Sequence, residues 1–206
     1  MTVLVVDYGM GNLASVARAL EDCGARVRVS ADAAAVSEAE RIILPGVGAF
    51  PDAMQRLASA GWVDALQGAT RDEGVPLLGI CLGMQLLADQ GEEVRPTQGL
   101  GLIPGSVRRI SPAPGERVPH VGWNELSQAR PDPLFAGIAD GEDFYFVHEY
   151  AFVCARADDV AGTTPFGGGF ASAVSRGPVY GVQFHPEKSS RAGKQLLANF
   201  LSVPRG

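Results

Sequence analysis

A thiol, an imidazole and a carboxylate stand in this sequence where acyl chemistry could use them. Cys81 lies in Pro76-Leu77-Leu78-Gly79-Ile80-Cys81-Leu82-Gly83-Met84-Gln85. The G-x-nucleophile-x-G form, set between an apolar strand-like run and a helix-like one, is that of a nucleophile elbow with cysteine in place of serine. Such a turn is crowded, and side chains two residues either side of the nucleophile would collide with strand and helix. It lifts the sulfur out of the sheet and sets it at a helix N-terminus, where the dipole favours thiolate. It also aims the Leu82 N–H at the place where an oxyanion would form. The plain alternative is a small core residue; that reading holds for Cys23 and Cys154, which have no such setting.

A thiol nucleophile needs a base, and the base a group to hold it. The chain has three histidines, His120, His148 and His185. His185 opens His185-Pro186-Glu187-Lys188-Ser189 at the end of a strand-like run, the end at which α/β sheets gather active residues. Residues two apart in extended chain point the same way, and Pro186 keeps His185 extended. Glu187 can then accept the Nδ1 proton and leave Nε2 to take one from Cys81. A strand end with a surface ion pair is the competing reading of His-Pro-Glu. Metal binding by His185, Glu187, His120 and Cys81 is open by residue type, but no pair has ligand spacing.

The elements that must position these groups alternate along the first half. Strands are expected at Thr2 to Asp7, Arg26 to Ser30, Arg41 to Leu44 and Pro76 to Ile80. Helices are expected at Asn12 to Cys23, with Asn12 as N-cap and Gly24 at the end, around Phe50 to Glu73, and from Gly83 to Asp89. That order means βαβ units and a parallel sheet. Beyond Gly91 short strand-like runs dominate, at Val107 to Ile110, Val118 to Trp123, Phe144 to Val153 and Val179 to Phe184, before a last helix from Ser189 to Leu201. The expectation is one α/β domain over 1–206 with a mixed, largely parallel central sheet flanked by helices.

A net charge of −6 with no basic cluster beyond Arg108-Arg109 argues against a nucleic-acid or anionic-membrane footprint. Three widely spaced cysteines argue against a disulfide framework. The first apolar run meets Asp7 too early for a signal-peptide core, and the Val75 to Ala88 stretch falls short of a membrane span. A cytoplasmic setting is expected.

The elbow and the His-Pro-Glu segment together resemble the class I (triad) glutamine amidotransferases, whose fold is flavodoxin-like. Asp7-Tyr8-Gly9-Met10-Gly11-Asn12-Leu13, Pro45-Gly46-Val47-Gly48-Ala49-Phe50, Pro119-His120-Val121-Gly122-Trp123-Asn124 and Tyr145-Phe146-Val147-His148 narrow the resemblance to the glutaminase subunits of imidazole glycerol phosphate synthases. It covers essentially the whole chain. It implies a triad of Cys81, His185 and Glu187, and a glutamine pocket with Gly48, Gln85, Glu149 and Tyr150. It implies oxyanion donors at Leu82 and Val47, the latter on a peptide that glycines on both sides let switch. It implies L-glutamine as substrate, no metal or organic cofactor, and a cyclase-subunit partner with a (β/α)₈ barrel. Asn12, Trp123 and Asn124 are expected at that interface, with His120 in the same surface. Glu149 departs from the family, which more often has Ser or Thr there.

Three other readings stand beside it. Gly9-x-Gly11-x-x-Ala14 with Asp32 matches a dinucleotide fingerprint, which would leave Cys81 and His185 unexplained. A catalytically idle binding subunit and a stand-alone γ-glutamyl amide hydrolase share the fold and differ in activity.

Overall fold

The run Val3-Leu4-Val5-Val6 has no polar face to give to solvent, and it forms the buried strand β1 (Thr2–Val6). Arg26-Val27-Arg28-Val29-Ser30 alternates, and it forms the half-exposed edge strand β2 (Arg26–Ser30). Between them α1 (Leu13–Glu21) buries Val16 and Leu20 and is followed by Gly24 at φ 86°. Asn12 sits at the N-cap as expected, but its side chain makes no capping bond. The computed structural model describes residues 1–206.

Next come β3 (Arg41–Gly46), α2 (Phe50–Ser59), α3 (Trp62–Arg71) and β4 (Leu77–Cys81), with Gly61 in left-handed conformation dividing the two helices. Strands β2, β1, β3 and β4 lie side by side and parallel. Then the chain turns through α4 (Leu82–Gln85) and the strands β5 (Gln90–Gly91), β6 (Thr97–Gln98), β7 (Gly105–Arg109), β8 (His120–Gln128), β9 (Glu142–His148), β10 (Tyr150–Cys154), β11 (Val160–Thr164), β12 (Phe170–Arg176) and β13 (Val179–Val182), ending in α5 (Ser190–Ser202). β13 returns to lie parallel to β4, while β12, β10 and β7 continue the sheet antiparallel. The sheet is therefore mixed, as expected. Helices α1 and α5 pack on one face with Leu20, Leu196 and Phe200; α2 and α3 pack on the other with Leu57, Trp62 and Leu66. Each such side chain contributes about 1.5–3 kcal/mol by leaving water. No helix is long and apolar enough to cross a membrane.

Two expectations need correction. The helix expected over Gly83 to Asp89 is a single turn, because the carbonyls of Leu86, Leu87 and Ala88 accept from Leu100, Leu102, Ile103 and Gly101 instead of continuing the helix. The strand expected over Phe144 to Val153 breaks at Glu149: β9 pairs with β8, whereas β10 pairs with β7 and β12. Strands β11 and β12 have no counterpart among the expected elements. Their Ala-, Gly-, Ser- and Thr-rich sequences carry little hydrophobic periodicity, and their burial comes from their neighbours.

Candidate active site

Cys81 is the last residue of β4 and is held at φ 55°, ψ −113°, a conformation that L residues avoid and that costs about 1–3 kcal/mol. The flanking glycines are where packing forbids anything larger. A Cβ on Gly83 would lie 1.8 Å from the Leu44 carbonyl oxygen, and one on Gly79 would lie 2.5 Å from that of Gly83. The elbow is thus pressed against β3, whose last residue Gly46 pairs with Cys81. Sulfur emerges at the C-terminal edge of the parallel strands. The helix it opens has only one turn, so its dipole is correspondingly small.

β13 ends beside β4, with Val182 opposite Ile80, and delivers His185 three residues later to the same edge. The His185 N–H donates to the Tyr145 carbonyl, and the Ser189 hydroxyl donates to the His185 carbonyl at 2.6 Å. The side chain meets Glu187 through Nδ1···Oε1 at 2.8 Å, with both groups almost completely buried. Nε2 is buried and without a hydrogen-bond partner. Burial disfavours imidazolium here, but neighbouring Cys81 and Glu187 outweigh it and raise the His185 pKa to about 9. His185-Pro186-Glu187 is therefore a buried orienting pair beside a thiol, not a surface ion pair.

A cavity of about 350 Å³, in the range of small-molecule sites, opens over the sulfur. It is lined by Cys81 and His185 and by Val47, Gly48, Leu82, Gln85, Glu149 and Tyr150, every substrate residue expected from the sequence. Gly48 has φ 108°, a conformation suited to glycine. Gly46 is constrained differently: its φ is not positive, and a Cβ there would lie 2.5 Å from the Tyr8 hydroxyl, which donates to the Pro45 carbonyl. Glu149 is tied to Arg109 at 2.7 Å, so the carboxylate that departs from the family pattern carries its own counter-ion. A second cleft, of about 310 Å³, is lined by Arg108, Phe152 and Cys154; burial raises the Cys154 thiol to about 12, which keeps it un-ionised and unreactive.

Three residues of the site escaped the sequence reading. Glu93 lines the cavity, and one of its oxygens accepts from the Phe50 N–H at 2.7 Å. Gln183, fully buried, donates to the Cys81 sulfur at 3.8 Å and accepts from Gln85 at 3.0 Å. Its position two before His185, in the extended run that leads to it, was the available signal. His148 lines the cavity as well, and burial lowers its pKa to about 4. The family resemblance gives it no triad role.

The residues expected at an interface separate. Asn12 is exposed on the loop after β1, at the same sheet edge as Cys81. Trp123 is 52% exposed and neighbours Tyr145 across the β8–β9 pair, with exposed Val121 and Val147 opposite each other beside it. Asn124 points to the other side of β8, where its amide meets His120. His120 itself is buried, stacked on Phe166 at 4.2 Å, which corrects its expected place on the surface. Strand alternation explains the split: odd positions of β8 face out and even ones face the core. Asp32, the acid of the dinucleotide reading, is used to cap the 3₁₀ turn Ala33–Glu38 through the Ala34 N–H.

The sequence model of the family described as Glutamine amidotransferase class-I matches residues 4–203. A protein of Moorella thermoacetica named imidazole glycerol phosphate synthase subunit HisH is 51% identical over 98% of this chain and 95% of its own length. Proteins of the same name from Chromobacterium violaceum and Aromatoleum aromaticum are 47% and 46% identical, over 98% and 97% of this chain and the same shares of their own lengths. Among solved structures, PurLQS from Thermotoga maritima superposes with a TM-score of 0.76 over 97% of both chains at 21% identity. A structure described as a glutamine amidotransferase gives 0.75 over 96% of both at 20%.

Proposed function

This chain belongs to the class-I glutamine amidotransferases, and from that premise we propose that it is the glutaminase subunit of an imidazole glycerol phosphate synthase, supplying ammonia for histidine biosynthesis. The observation that carries the reading is the strained Cys81 elbow sharing one cavity with the buried His185–Glu187 pair.

In the proposed reaction Cys81 thiolate attacks the side-chain amide carbon of glutamine. The Leu82 and Val47 N–H groups bind the oxyanion, and the imidazolium of His185 gives its Nε2 proton to the leaving ammonia as the C–N bond breaks. His185, now neutral, takes a proton from water. The hydroxide attacks the thioester, glutamate leaves, and the thiolate–imidazolium pair is restored. Glu187 holds the imidazole and offsets its charge. The free oxygen of Glu93 is suited to the substrate ammonium, and Arg109 keeps Glu149 from repelling its carboxylate. The chemistry proposed needs no metal or organic cofactor.

The exposed apolar face made by Val121, Trp123 and Val147, beside the cavity, suits the cyclase subunit as partner in a heterodimer. The setting proposed is the cytoplasm. Glutamate release, measured with the chain alone and with the cyclase and its nucleotide ligand, tests the whole reading. Low release alone, a steep rise in the complex and loss with Cys81→Ala are expected. Full release without the partner would make the protein a free-standing hydrolase, and none in either state would make it an idle subunit.

A further inference from the structure

His120 and His148 take no part in the reaction above, yet both are buried and joined to each other, with His120 Nδ1 3.0 Å from His148 Nε2. Their protons can be placed from the ends of the chain of bonds they belong to. At one end His148 Nδ1 lies 2.8 Å from the Tyr150 carbonyl, which can only accept, so the proton is on Nδ1. Burial keeps this ring neutral at physiological pH, so its Nε2 is an acceptor and His120 Nδ1 must be the donor. Burial lowers the His120 pKa too, leaving its Nε2 to accept from the Asn124 amide at 3.2 Å. The Asn124 orientation is fixed in turn, because its oxygen accepts from the Glu125 N–H at 2.9 Å. Backbone groups at both ends therefore determine every proton between them.

The chain ends at a node of the site. The Tyr150 carbonyl also accepts from Gln85 at 3.0 Å, and Gln85 and Gln183 continue the bonds to the Cys81 sulfur. His148 spans the break between β9 and β10, where Glu149 and Tyr150 form the cavity wall. The other end lies on β8, whose outer face carries the exposed Trp123.

We propose that Asn124, His120 and His148 form a proton-ordered positioning relay that fixes the Tyr150 carbonyl and Gln85 against the glutamine cavity, so that strand β8 sets glutamine affinity. The inference rests on the glutaminase reading. It makes the two histidines positioning residues, with an effect on KM rather than on the chemical step.

The experiment compares His120→Phe and His120→Asn in the complex with the cyclase. Phenylalanine keeps the stacking on Phe166 and removes the N–H that His148 Nε2 accepts; asparagine restores an N–H near the Nδ1 position. Leaving that buried acceptor unpaired is expected to raise KM for glutamine about tenfold with kcat within about twofold. His120→Asn is expected to bring KM most of the way back, although it packs less well, a recovery that a purely structural role would not give. In parallel, ¹⁵N NMR of the unaltered chain should show both rings neutral and protonated on Nδ1 near pH 7. An unchanged KM in His120→Phe, no recovery in His120→Asn, or an Nε2-protonated or charged ring at either position overturns the relay. If the unaltered complex releases no glutamate, the glutaminase reading fails, and the NMR arm still decides the proton order.

Discussion

Replacing Cys81 by alanine should change the protonation of a residue on a different strand. His185 has a pKa of about 9 although burial works against its charge, and Cys81 and Glu187 supply the offset. Against the ordinary histidine value of about 6.5 this is a preference for imidazolium worth about 3 kcal/mol. At pH 7.5 it leaves most of the rings charged, where an unperturbed histidine would be about 10% charged. Cys81→Ala removes one partner and Glu187→Gln the other; each should lower the pKa, and the double variant should fall below 6.5, since burial alone then remains. The assay is an NMR titration of ring-labelled histidines from pH 5 to 10. His120 and His148 are both held on the acid side by burial, so the alkaline titration belongs to His185. The sign for stability follows from the raised value. The His185 contribution is complete below about pH 6.5 and is lost as the pH rises through about 9. kcat/KM for glutamine should decline over the same alkaline window as the proton for the leaving ammonia is lost. A His185 pKa near 6.5 in the unaltered protein, or one unmoved by Cys81→Ala, would refute the reading that Cys81 and Glu187 hold the imidazolium.

The glycines of the elbow and the oxyanion strand give two more tests. Gly83→Ala puts a Cβ 1.8 Å from the Leu44 carbonyl, where only a shift of β3 or α4 can make room; we expect a loss of about 3 kcal/mol, seen as a fall in Tm of about 10 °C, with glutaminase activity lost as well. A melting temperature within about 2 °C of that of the unaltered protein would contradict it. Gly46→Ala should abolish stimulation by the partner, but its new methyl also meets the Tyr8 hydroxyl at 2.5 Å. Adding Tyr8→Phe removes that clash and leaves contacts of 3.0 Å with the Gly83 nitrogen and the Leu82 Cβ: stimulation that returns assigns the loss to the Tyr8 contact, and stimulation that stays lost assigns it to the elbow and the Val47 peptide together.

Sequence and structure divide the work along a physical line. Short-range rules make the nucleophile legible, since a glycine two residues either side of Cys81 is demanded by the turn itself, and His185-Pro186-Glu187 carries its geometry within three residues. The apolar runs at Val3, Ile42 and Leu77 likewise announce buried parallel strands, because such runs have no polar face. What escaped was set by distant partners. The helix after Cys81 stops at one turn because carbonyls of Leu86 to Ala88 are claimed by the 100–103 segment. The Phe144 to Val153 run breaks at Glu149 because its two halves pair with strands from different parts of the chain. Glu93, Gln183 and the His120–His148 pair join the site only through such pairings: β8 against β9 sets His120 opposite His148, and β13 against β4 brings Gln183 beneath Cys81. The sequence by itself determined which groups could do the chemistry; register and strand order, which depend on contacts far apart in the chain, decided which groups surround them.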